Sequence, residues 1–77
     1  MEVVCFGALR DHLPQGTEGN RAEIALDDGA TVAELVTLLG APRRWVFAVL
    51  VDGRRAGLDH GLSEGAEVTL MPPFSGG

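Results

Sequence analysis

Seventy-seven residues, a net charge of −5 and a single cysteine exclude several classes of protein before any element is placed. The length fits one domain with a small core, and 45% hydrophobic residues set it apart from disordered segments. One cysteine leaves no intrachain disulfide, and basic residues paired only at Arg43-Arg44 and Arg54-Arg55 do not make the clustered surface that nucleic acid requires. No apolar run approaches the roughly 20 residues that span a bilayer. The Met1-Glu2-Val3-Val4 start lacks a positively charged leader, so a cytoplasmic location is expected. Lysine is absent: arginine supplies every basic side chain, and no ε-amine is available to attack an activated carboxyl group.

In chain order, Val3-Val4-Cys5-Phe6 predicts a buried opening strand, β-branched and aromatic. Gly7 to Leu13 predicts a short helical turn closed by Pro14, and Gln15 to Asn20 a polar, glycine-bearing loop. Ala22 to Asp27 alternates, with Ile24 and Leu26 on one face, and predicts a second strand paired to the first. The best-marked element follows. Thr31-Val32-Ala33-Glu34 is a capping box, and Val32, Leu35, Val36 and Leu39 form one apolar stripe at helical spacing. Gly40 and Pro42 end that helix at about two and a half turns. Trp45 to Val51 predicts a third strand, and Asp52-Gly53 a type I′ turn that folds Arg54 back on it. Ser63-Glu64-Gly65 predicts a turn before a last strand, Glu67 to Met71, with Val68 and Leu70 on one face. The expected fold is α+β: a β-grasp, with a mixed sheet of four to five strands packed on one main helix. The last strand is expected in the centre beside the first, with a flexible tail, 72–77, leaving from one end of the sheet.

That tail, Pro72-Pro73-Phe74-Ser75-Gly76-Gly77, is the most informative stretch. Two prolines hold a chain extended and keep it from folding back as helix. Two glycines let another molecule approach the backbone closely. A stiff spacer before a bare carboxylate presents a C-terminus for chemistry.

The run Asp59-His60-Gly61-Leu62-Ser63-Glu64-Gly65-Ala66-Glu67-Val68, with Pro72-Pro73-Phe74-Ser75-Gly76-Gly77, resembles the C-terminal third of the ubiquitin-like MoaD/ThiS sulfur carriers, closest to the molybdopterin synthase small subunit. Phe6-Gly7-Ala8-Leu9-Arg10-Asp11 and Thr31-Val32-Ala33-Glu34-Leu35 resemble that branch's opening strand and turn and the start of its helix. The resemblance covers nearly the whole chain. It implies a carrier with no bound cofactor of its own, a substrate and subunit of a synthase complex. An E1-like adenylating enzyme of the MoeB/ThiF kind would use MgATP to adenylate the Gly77 carboxylate. A persulfide donor would convert the adenylate to a thiocarboxylate. A MoaE-like large subunit of molybdopterin synthase would receive the sulfur. Gly77 is then the reacting residue; Gly76, Ser75, Phe74, Pro73 and Pro72 thread the partner's channel, and Met71 and Leu58 join Phe74 in an apolar docking patch. The same carrier chemistry would serve thiamine thiazole, tRNA thiolation or cysteine synthesis. A ubiquitin-like modifier shares fold and tail, although the missing lysines argue against isopeptide chains built on this protein. A third class is an interaction module with a passive tail.

Other residues read as structural. Cys5 sits among apolar neighbours in a core strand, where cysteine acts as a small hydrophobe. His12 and His60 lack ligand-spaced companions, so no metal site is expected. Asp27-Asp28 before Gly29 marks a solvated turn.

Overall fold

The computed structural model describes residues 1–73 of the chain. Five strands form one mixed sheet: β1 (Glu2–Cys5), β2 (Arg21–Glu23), β3 (Ala48–Val51), β4 (Arg54–Arg55) and β5 (Glu67–Met71). Their spatial order is β2-β1-β5-β3-β4, with β5 central as expected. β1 and β5 run parallel, with Glu2 opposite Glu67 and Cys5 opposite Leu70. β5 pairs antiparallel with β3, Val49 facing Leu70 and Val51 facing Val68.

One helix, α1 (Val32–Leu39), supplies most of the layer that covers the sheet. Its start is fixed by the expected capping box: the Thr31 hydroxyl accepts from the Glu34 amide at 3.2 Å, and the Glu34 carboxylate accepts from the Thr31 amide at 3.3 Å. Two further amides of the first turn, Val32 and Ala33, donate to the carbonyls of His60 and Leu58. At the other end Gly40 takes φ 73°, Gly40 N–H donates to Thr37 and Ala41 N–H to Val36, a Schellman stop. Val32, Leu35 and Val36 are fully buried against Val3, Cys5, Leu9, Leu62, Val68 and Leu70. Leu39 is only half-buried at the margin of that core.

Two sequence-based boundaries move. β2 stops at Glu23, but Ile24 and Leu26 still turn into the core beyond the paired segment. The third strand begins at Ala48 rather than Trp45, because residues 43–45 form a short 3-10 turn that leaves Trp45 exposed. Apolar content alone does not separate that turn from the strand it feeds. The hairpin after β3 is as expected, with positive φ at both Asp52 (52°) and Gly53 (85°). Gly7–His12 forms the expected turn, as 3-10 helix, with Leu9 buried. Among the described residues no helix is long and apolar enough to cross a membrane.

Because the core is small, single deletions within it weigh heavily. Leu35→Ala empties a fully buried site and is expected to cost about 3 kcal/mol. Thr31→Ala, which removes only the cap, is expected to cost about 1 kcal/mol. Urea unfolding of the two variants beside the parent checks both the size and the order of these effects.

Candidate functional site

Strand alternation gives the sheet two unlike faces. Val3, Cys5, Val49, Val51, Val68 and Leu70 point toward α1. The residues between them line the opposite, helix-free face in three rows set by strand register. Glu23, Glu2 and Glu67 make an acidic row at one end. Arg21, Val4, Thr69, Leu50 and Arg55 make the middle row, running from one edge of the sheet to the other. Ala48 and Met71 pair in the last row, at the end where β5 gives way to Pro72. Val4 and Ala48 are buried yet stand outside the core cluster, so this face carries apolar contacts of its own.

The end of β5 is held by its neighbours. Phe6 N–H donates to the Leu70 carbonyl at 3.1 Å, and Phe47 N–H donates to the Met71 carbonyl at 2.8 Å. Both phenylalanines remain open to solvent, at 45% and 68% exposure, beside the half-buried Met71. An apolar rim therefore surrounds the point where the chain leaves the sheet. Gly7 closes one side of it. Its φ is +57°, and a Cβ placed there would lie 2.9 Å from Cγ of Pro72. The turn thus rests its bare backbone on the proline ring.

Of the expected site residues, Met71 and Pro72 fall at this exit and Pro73 is exposed just past it. Phe74, Ser75, Gly76 and Gly77 lie outside the described residues. Leu58 lies in the segment after β4, where its carbonyl accepts from Ala33 in the first turn of α1 and its side chain stays exposed to solvent. Phe6, Leu50 and Val4 stand on the open face by strand register. The alternation Val3-Val4-Cys5-Phe6 carries a signal for two of them, since one face of a half-buried strand must hold Val4 and Phe6 if the other holds Val3 and Cys5.

The remaining chemically capable side chain, Cys5, is fully buried, and desolvation pushes its thiol up to about 11. A thiol so placed is almost wholly protonated at neutral pH and is a poor nucleophile.

A mixed sheet wrapped on one helix, with a central last strand that directs the chain off one end, defines the ubiquitin-like β-grasp class. The chain belongs to the ThiS family, whose model matches residues 4–77. Among solved structures it is similar to SAMP1 from Haloferax volcanii, at 28% identity and TM-score 0.70 over 100% of this chain and 98% of that one. A second structure of the H. volcanii small archaeal modifier protein 1 matches at 26% identity and TM-score 0.71, covering 96% and 97%. A Pyrococcus furiosus protein assigned as molybdopterin converting factor, subunit 1, shares the fold at 23% identity and TM-score 0.67, covering 95% of each chain. No curated protein matches the sequence.

Two outcomes test this geometry. Gly7→Ala should lower stability by about 1–2 kcal/mol from the left-handed backbone alone, and by more from the clash with Pro72. Pro72→Ala in the same chain should return the second part only, so thermal melts of the four variants should show non-additivity. Raising the pH should destabilise the protein between pH 9, the ordinary thiol value, and about 11, the folded value of Cys5. In that window the unfolded chain releases the thiol proton and the folded chain holds it, so stability present below pH 9 is lost as pH climbs through 11. Cys5→Ala should flatten that limb of a urea-stability profile.

Proposed function

We propose that this protein is a sulfur carrier whose Gly77 carboxylate is adenylated by an E1-like enzyme and converted to a thiocarboxylate. The observation that supports this most directly is the match of residues 4–77, through Gly77, to the ThiS family model, on a fold whose central strand leads into a proline pair. A free carboxylate is a poor acceptor for a sulfur nucleophile. Adenylation with MgATP joins a carboxylate oxygen to the α-phosphorus and releases pyrophosphate. Attack by a persulfide sulfur on the acyl carbon then expels AMP. Reductive cleavage of the resulting acyl disulfide by a thiol leaves the thiocarboxylate and a disulfide on the donor.

The chain's own residues position and present; they do not catalyse. The apolar rim of Phe6, Phe47 and Met71 docks the partner, and Pro72-Pro73 carry the tail into its active site, where Gly76 and Gly77 pass a narrow channel. The Pro-Pro-Phe-Ser-Gly-Gly ending favours molybdopterin as the final sulfur acceptor, through a MoaE-like large subunit. Thiamine thiazole, thiolated tRNA and cysteine are the other acceptors this chemistry serves.

A second reading, as a ubiquitin-like modifier, is favoured by the likeness to the H. volcanii modifier proteins. Both readings begin with the same acyl-adenylate and part at the nucleophile: sulfur in one, an amine on a target protein in the other.

Incubation with a cognate adenylating enzyme, MgATP and a sulfide source should add about 16 Da to the intact mass, one oxygen replaced by sulfur. Deleting Gly77 should abolish the gain and leave the melting temperature unchanged. An unchanged mass for the parent, together with covalent adducts to other proteins in cell extract, would favour the modifier.

A further inference from the structure

The two sheet edges of the open face differ in electrostatic state. At the β2 edge Arg21 is already neutralised: its Nη1 lies 2.7 Å from Glu2 and 3.1 Å from Glu67. At the β4 edge Arg55 stands in the same cross-sheet row, opposite Leu50, and has no carboxylate within 4.0 Å among the described residues. The chain around it is acidic, with a net charge of −5. An uncompensated cation at the border of an apolar strip is a directional mark on an otherwise negative molecule.

Resting on the carrier reading above, we propose that Arg55 sets the orientation of the adenylating enzyme on this face, by pairing with an acidic side chain that the enzyme carries next to the apolar surface covering Leu50 and Met71. Three observations converge on a protein with that pattern. Between the edges Leu50 and Met71 leave part of their apolar surface open around Thr69, which calls for a largely apolar counterpart. The acidic row Glu23, Glu2 and Glu67 at the far end repels a polyanion, which disfavours nucleic acid. Of the two sheet edges, only β4 offers an unpaired cation among the described residues, so an acidic group there fixes one of the two ways an apolar surface could lie across the strip.

Neighbouring arginines supply an internal control. Arg54 is in the same two-residue strand but pairs with Val51, whose side chain faces the helix side, so it leaves the sheet on the other face. Arg43 lies on the helix layer, in a shallow groove with Ala33, Glu34, Thr37 and Leu38. Reversal of any of the three changes net charge by the same amount, so long-range repulsion is matched and only the local contact differs.

The test is ATP–pyrophosphate exchange by the purified cognate E1-like enzyme, with full-length carrier as the varied substrate. Arg55→Glu should lower kcat/KM about 10-fold relative to Arg54→Glu and Arg43→Glu, through KM with kcat preserved. High salt should close the gap by screening. Arg55→Lys should retain the parental rate, and thermal melts should show all variants folded. Equal losses for Arg55→Glu and Arg54→Glu, or a gap that salt does not narrow, would overturn the role of Arg55 while leaving the carrier reading intact. A parent chain that supports no exchange would sink the carrier reading, and this inference with it.

Discussion

The parallel pairing of β1 with β5 is the constraint on which the rest of the molecule depends. Parallel neighbours cannot be joined by a tight turn, so everything between residues 5 and 67 must travel out and back to close that pair. The helix and both outer hairpins are the route it takes. With β1 on one side and β3 on the other, β5 has its backbone satisfied along both edges, while Val68 and Leu70 are sealed beneath α1. A strand held so firmly can carry Pro72 and Pro73 from its end without itself giving way.

From that one strand the two halves of the protein diverge. Even-numbered residues of β5 build the core, and odd-numbered residues build the open face. Stability and recognition are therefore written on opposite sides of the same five residues. The acidic row, the mixed middle row and the apolar rim succeed one another along the strand direction, so that chemistry, contact and charge are graded toward the exit at Pro72. Cys5 illustrates how strictly the sides are kept apart: a nucleophilic atom lies within the central pair of strands, yet burial removes it from the reactive population.

Much of this was legible in the residues. The Thr31-Glu34 box, the Gly40 stop and the Asp52-Gly53 turn are local devices, complete within six residues, and each takes the geometry its chemistry dictates. The central position of β5 also followed from pattern. The limits appear where a residue's role depends on distant chain. Trp45 and Val46 have strand-like side chains, but the path from α1 back to the sheet forces a turn there. The Leu58 carbonyl accepts from the helix amide of Ala33, a contact between segments far apart in sequence that no local pattern announces. Gly7 gave no sign of its contact with Pro72, because the two lie at opposite ends of the chain and meet only once β1 and β5 are paired.

The outermost strands carry one more consequence. β2 has three residues and β4 two, and between them they hold Arg21, Glu23, Arg54 and Arg55. An open sheet border with unused amides and carbonyls is a template on which further copies can add, and fibrils grow that way. Here each border is too brief and too charged to recruit another strand. Growth of an ordered stack through the backbone is disfavoured at both borders, even at high concentration.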